Sequence, residues 1–118
     1  MYYQITPVAA PRMTQSDKWN KRPCVTKYHA FKDEVREKRV KVSERCRIIF
    51  FVPMPKSWSK KKKDAMHMMP HQQTPDIDNL QKALFDAVYD DDKHIWHVDA
   101  QKRWSYEGGI AIETILED

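Results

Sequence analysis

"CRIIFFVPM", residues 46–54, is a run of strand length dominated by apolar side chains and closed by Pro53 and Pro55. Its apolar residues are consecutive and do not alternate with polar ones, the pattern of a strand covered on both faces. It reads as the central strand of a sheet, and the rest of the chain is placed around it.

Upstream, "YYQIT" (2–6) reads as a short first strand, ended by Pro7 and Pro11. "RMTQSDKWNKRP" (12–23) is a basic, polar surface loop whose Arg12, Lys18, Lys21 and Arg22 suit contact with phosphate or simply with water. From Tyr28 to about Val40 the pattern is helical, with Tyr28, Phe31 and Val35 on one face that can be buried. Arg36, Lys38 and Arg39 lie away from that stripe.

Downstream, Ser57 or Ser59 caps a short helix carrying Lys60, Lys61, Lys62 and Lys63, and Met66 to Pro75 reads as loop. His67 and His71 have a helical ligand spacing, but Pro70 lies between them and no third ligand is evident, so zinc is not the reading. A second helix runs from about Asp78 to Tyr89. Residues 94–104 and 109–116 read as strands, with "YEGG" (106–109) as the turn between them and Gly108 and Gly109 supplying positive φ. The order is β-α-β-α-α-β-β in one domain spanning 1–118, an α/β or α+β fold with a small mixed sheet flanked by helices. There is no internal repeat and no dinucleotide-binding glycine pattern.

The 118 residues are 41% hydrophobic and 32% charged, enough for one core. Mean hydropathy is −0.82, and no apolar run has transmembrane length, so no membrane partner is expected. The N-terminus lacks the pattern of a signal peptide, and an intracellular location is the expectation. Two cysteines, Cys24 and Cys46, make no framework and read as reduced thiols. Charge is unevenly divided. Residues 1–63 hold 17 of the 21 Lys and Arg against 5 acids, a net of +12; residues 64–118 hold 4 against 12, a net of −8. A basic half of that size points to a polyanion, most often nucleic acid, unless the two halves neutralise each other.

The acidic half contains "PDIDNLQKALFDAVYDDD" (75–92), with six aspartates in eighteen residues. Leu80, Leu84, Phe85 and Val88 still form a face that can be buried. One reading makes the acids ordinary: Asp76 as N-cap, Asp78 at the positive end of the helix dipole and paired with Lys82, and Asp90 to Asp92 as a turn. It leaves unexplained why three acids crowd the helix C-terminus, where the dipole opposes them. The other reading has the acids converge on a cation. Magnesium takes one or two carboxylates with water and phosphate, and a nearby lysine neutralises charge on a reacting phosphate. With a basic half beside it, this set suggests a metal-dependent nuclease.

"PDIDNLQKALFDAVYDDDKHI" (75–95) resembles the signature of the RusA family of Holliday junction resolvases: D-x-D-N-L-x-K, an apolar helix containing F-D-A, then a D-D pair before a strand. "PRMTQSDKWNKRP" (11–23) and "FFVPMPKSWSKKKK" (50–63) are similar to phage-borne members, so the resemblance covers nearly the whole chain. It implies a homodimeric, Mg²⁺-dependent endonuclease of mixed α/β fold, bacterial or phage-encoded, that cuts four-way DNA by paired symmetric incisions in recombination and repair. It puts the catalytic, metal-binding acids on Asp76, Asp78 and Asp92, the lysine on Lys82 and the motif asparagine on Asn79. Three consecutive aspartates and a short link leave Asp91 as the alternative third acid. Asp86 is expected to be structural or to support the ligands from behind. Lys60 to Lys63, Arg12, Lys18, Lys21 and Arg22 are expected on DNA phosphates. The rival expectations are a non-catalytic DNA-binding module and a nuclease for flaps or forks.

Overall fold

The computed structural model describes residues 1–11, 23–89 and 93–116. In chain order the elements are β1 (Tyr2–Tyr3), α1 (Pro23–Glu37), β2 (Arg45–Pro53), α2 (Lys60–Met66), α3 (Ile77–Val88), β3 (His97–Ser105) and β4 (Gly109–Thr114), which is the expected order. The strands form one mixed sheet in the order β1-β4-β2-β3. β2 runs parallel to β3 and antiparallel to β4, and β1 is antiparallel to β4. This is the α+β architecture expected from the sequence.

The apolar run does take the middle of the sheet, but among the described residues a helical layer covers only one of its faces. Cys46, Ile48 and Phe50 are fully buried, in a core with Tyr28, Phe31 and Val35 of α1, Leu80, Ala83, Leu84 and Phe85 of α3, and Ile110 and Ile112 of β4. Burying each large side chain contributes about 1.5–3 kcal/mol. The alternate residues face outward: Arg47 is exposed, and Ile49 and Phe51 are half-buried. The sheet itself shields this side. Tyr2 sits against Phe51 with ring centroids 6.0 Å apart, and Arg47 donates to Glu113 at 2.7 Å and to Asp99 at 3.4 Å across the two neighbouring strands.

The turn after β3 does not close a hairpin. β3 and β4 flank β2 on opposite sides, so the chain passes over the end of β2, where the Met54 N–H donates to Ser105 O at 3.0 Å. Neither glycine there has positive φ. They are required by crowding: a Cβ on Gly108 would lie 2.6 Å from the Thr6 Cα, and one on Gly109 would meet the Tyr2 ring.

α1 begins earlier than its stripe suggested. Pro23 occupies the first turn, where a missing N–H costs nothing, and Val25 extends the buried face. It also ends earlier. Arg39 adopts φ 53°, its N–H donates to Arg36 O at 3.1 Å, and that of Val40 donates to Val35 O at 3.2 Å. This double closure stops the helix and turns Val40 into the core. β1 is shorter than expected because the chain bends at once: the Ile5 N–H donates to Tyr3 O, and Ile5 is buried. Cys24 and Cys46 are both free thiols, and burial raises the pKa of Cys46. No described helix is long and apolar enough to cross a membrane.

Candidate active site

The first turn of α3 presents Asp76 and Asp78. Asp76 is the N-cap by backbone, and its carbonyl accepts from Leu80 N at 3.2 Å, yet its side chain makes no capping hydrogen bond. Among the described residues, Asp78 accepts only from the next residue's backbone, Asn79 N, at 3.0 Å. Both side chains are exposed, at the end of the helix where the dipole favours negative charge. They open onto a cleft of about 570 Å³ bounded by residues 72–74, Ile77 and, from β3, Lys102.

Lys102 was not anticipated. Its ammonium donates to Gln73 O and Pro75 O, both at 2.8 Å, immediately before Asp76. The signal lay in charge scarcity, since Lys102 is one of only four Lys or Arg in residues 64–118.

Farther along α3, Asp86 is engaged through one carboxylate oxygen. Tyr28 of α1 donates its hydroxyl to Asp86 Oδ2 at 3.0 Å, and Lys82 Nζ lies 3.4 Å from the same oxygen. Lys82 thus pairs forward along the helix with Asp86, not back with Asp78. Burial, helped by the adjacent carboxylate, pushes the Tyr28 pKa up to about 12. Arg36 Nε donates to Ala87 O at 3.1 Å, satisfying a carbonyl in the last turn of α3 with a cation.

The residues between α2 and α3 are not simply loop. Met68 N donates to Trp104 O at 2.7 Å, Trp104 N to Met69 O at 2.9 Å, and His71 N to Lys102 O at 3.0 Å. This strap lies along the edge of β3, and Arg103 fastens it by donating to Met68 O at 2.7 Å. α2 and the acidic turn therefore hang from the same strand. Ser59, of the two candidate serines, caps α2 by accepting from Lys62 N at 3.2 Å. Lys62 Nζ lies 4.1 Å over the Trp58 ring, and Trp58 packs on Trp104 at 4.8 Å. Lys60 and Lys61 are exposed, and Lys63 is half-buried.

His67 and His71 do not converge: His67 rests on Tyr106 at 4.9 Å, and His71 on Trp104 at 4.2 Å. His71 is buried, its Nδ1 has no hydrogen-bond partner among the described residues, and burial with nearby Lys102 lowers its pKa.

Asp91, Asp92, Arg12, Lys18, Lys21 and Arg22, all singled out in the sequence, lie outside the described residues. Among the described residues no three His, Cys, Asp or Glu side chains gather into a metal-sized group. The Asp76 and Asp78 pair is hard-oxygen chemistry and suits Mg²⁺ as part of a ligand set.

The chain matches the sequence model of a family described as Endodeoxyribonuclease RusA over residues 4–115. No curated protein matches it, and no solved structure does.

Proposed function

The chain belongs to the RusA family of endodeoxyribonucleases, and from that premise we propose that it is a Mg²⁺-dependent enzyme that resolves four-way DNA junctions in recombination and repair, by paired symmetric cuts made as a homodimer. The observation that carries this reading is the exposed Asp76 and Asp78 pair: the Asp76 side chain makes no capping hydrogen bond, Asp78 accepts only a local one from Asn79 N among the described residues, and both open onto one cleft.

Asp76, Asp78 and Asp92 would hold the cation. Bound Mg²⁺ supplies Lewis acidity toward a phosphoryl oxygen and a more acidic water. Lys82 neutralises negative charge building on the phosphate. Its side chain is 64% exposed and its pair with Asp86 is an i, i+4 contact, a type worth under about 1 kcal/mol, so it is released at small cost. Asp86 and Tyr28 hold the helix that carries these groups against α1. Lys60 to Lys63, on a helix strapped to the same edge of β3, bear on the phosphate backbone, as do Arg12, Lys18, Lys21 and Arg22.

A four-way junction has approximate two-fold symmetry, which a two-fold dimer with two sites matches. The sheet face opposite the helices, with Tyr2, Ile49 and Phe51 only partly covered, suits a second copy. Sedimentation is then expected at twice 14.1 kDa, and an active monomer would refute the dimer. A substrate panel of four-way junctions, flaps, forks and linear duplex at equal salt tests the substrate class. Preference for the junction is expected, and equal cutting of flaps or forks would move the enzyme to another branched-DNA class.

A further inference from the structure

Residues 72–75 join the β3 strap to the acidic turn, and among the described residues they make no backbone–backbone hydrogen bond. Among the described residues, the hydrogen bonds to their carbonyls come from one side chain. Lys102 Nζ binds Gln73 O and Pro75 O at 2.8 Å each, short charge-assisted bonds on either side of Thr74. Lys102 is half-buried, so these bonds are less exposed to water than a surface pair. Its own backbone carbonyl accepts from His71 N, so the same residue grips the connection at its start and at its end. Asp76 follows Pro75 directly, and Lys102 shares the cleft with Asp76 and Asp78.

We propose that Lys102 is a positioning residue for cation binding: by clamping the Gln73 and Pro75 carbonyls it sets Asp76 and Asp78 in place before the metal arrives, and its charge offsets part of their repulsion. The inference deepens the nuclease reading and rests on it for the identity of the cation. Its hydrogen bonds go to carbonyls, not carboxylates, so it leaves the carboxylate oxygens available. A ligand pair ordered in advance does not charge its ordering cost to the cation, so loss of the clamp appears as weaker metal affinity. Lys102 acts through the backbone and is no catalytic residue.

The test uses full-length protein and Mg²⁺ alone as the probe. Lys102→Met keeps the apolar stem and removes the donors. The Mg²⁺ midpoint for junction cleavage is expected to rise about tenfold, with the rate at saturating Mg²⁺ near wild type, as for other groups that orient metal ligands. In metal-free protein, amide hydrogen exchange across residues 73–79 is expected to speed up, while metal-free junction binding stays unchanged. Lys102→Arg keeps the charge but splits the donors over a planar fork, and its midpoint is expected between the two; it also covers the case in which the methionine variant fails to fold. An unchanged midpoint, or unchanged exchange over residues 73–79, overturns the proposal. Wild-type protein that cleaves no junction defeats the nuclease reading instead, and the exchange measurement then still decides whether Lys102 is the clamp.

Discussion

Asp78, in the first turn of α3, and Asp86, two turns further along the same helix, are the same side chain in opposite surroundings. Asp86 is held by a tyrosine hydroxyl from α1 and a lysine from its own helix. Among the described residues, Asp78 has only the backbone N–H of the next residue, and the Asp76 side chain beside it makes no capping bond. The difference comes from what lies opposite. α1 packs against α3 and brings Tyr28 to Asp86 near the end of the helix, whereas the first turn faces an open cleft whose one cation among the described residues is fastened to backbone. A carboxylate already satisfied by the fold is a poor metal ligand, and one left unsatisfied at a cleft is a good one.

Substitutions at the two places should separate activity from stability. On the proposed reading, Asp76→Asn or Asp78→Asn removes one charge from the cation's ligand set. Junction cleavage is expected to fall by on the order of a hundredfold or more, while the melting midpoint holds or rises as repulsion is relieved. Wild-type cleavage in both variants would erase the distinction. Asp86→Ala should do the reverse. Losing the Tyr28 bond costs about 1 kcal/mol, a fall of roughly 4 °C in Tm, with cleavage in Mg²⁺ kept to within about tenfold. A larger loss of cleavage than of stability would place Asp86 in the chemistry.

Much of this was legible in the sequence, and the parts that were not share a cause. The stripe of Leu80, Leu84 and Phe85 and the run Ile48 to Phe51 announce a helix and a strand because burial imposes a period on residue type. D-x-D-N-L-x-K placed Asp76 and Asp78 together, and both line one cleft. The placement of β3 and β4 on either side of β2 was not legible, since two strands joined by a short turn carry no mark of an intervening partner. Nor was the clamp. Charge scarcity singles out Lys102 among the residues of 64–118, but nothing in the sequence says that its ammonium binds carbonyls distant in the chain. The third acid expected on Asp92 or Asp91 falls outside the described residues.

Two smaller effects sharpen the contrast between the acidic turn and its neighbours on the β3 edge. Replacing Lys60 to Lys63 with alanine should weaken junction binding and flatten its salt dependence, by about one unit of slope for each phosphate that is no longer neutralised. Binding titrations at several salt concentrations measure this, and an unchanged slope would mean that these lysines face only water. His71, buried with a lowered pKa, makes stability pH-dependent. The unfolded chain takes up a proton near the ordinary value of 6.5 and the folded protein only at lower pH. This contribution is therefore fully present above 6.5 and is lost as pH falls through the lowered value. Melting curves from pH 7 to pH 5 should show wild type losing more stability than His71→Phe, and parallel curves would contradict the assignment.

The most direct test of the central claim is Mg²⁺ binding to metal-free protein, followed as the rise in melting midpoint with Mg²⁺ for wild type, Asp78→Asn and Asp86→Ala. Ligand at ten times its Kd stabilises the folded state by about 1.4 kcal/mol. This rise is expected to be present in wild type, nearly absent in Asp78→Asn and retained in Asp86→Ala. A Mg²⁺ response in Asp78→Asn equal to wild type, or its loss in Asp86→Ala, would contradict the claim.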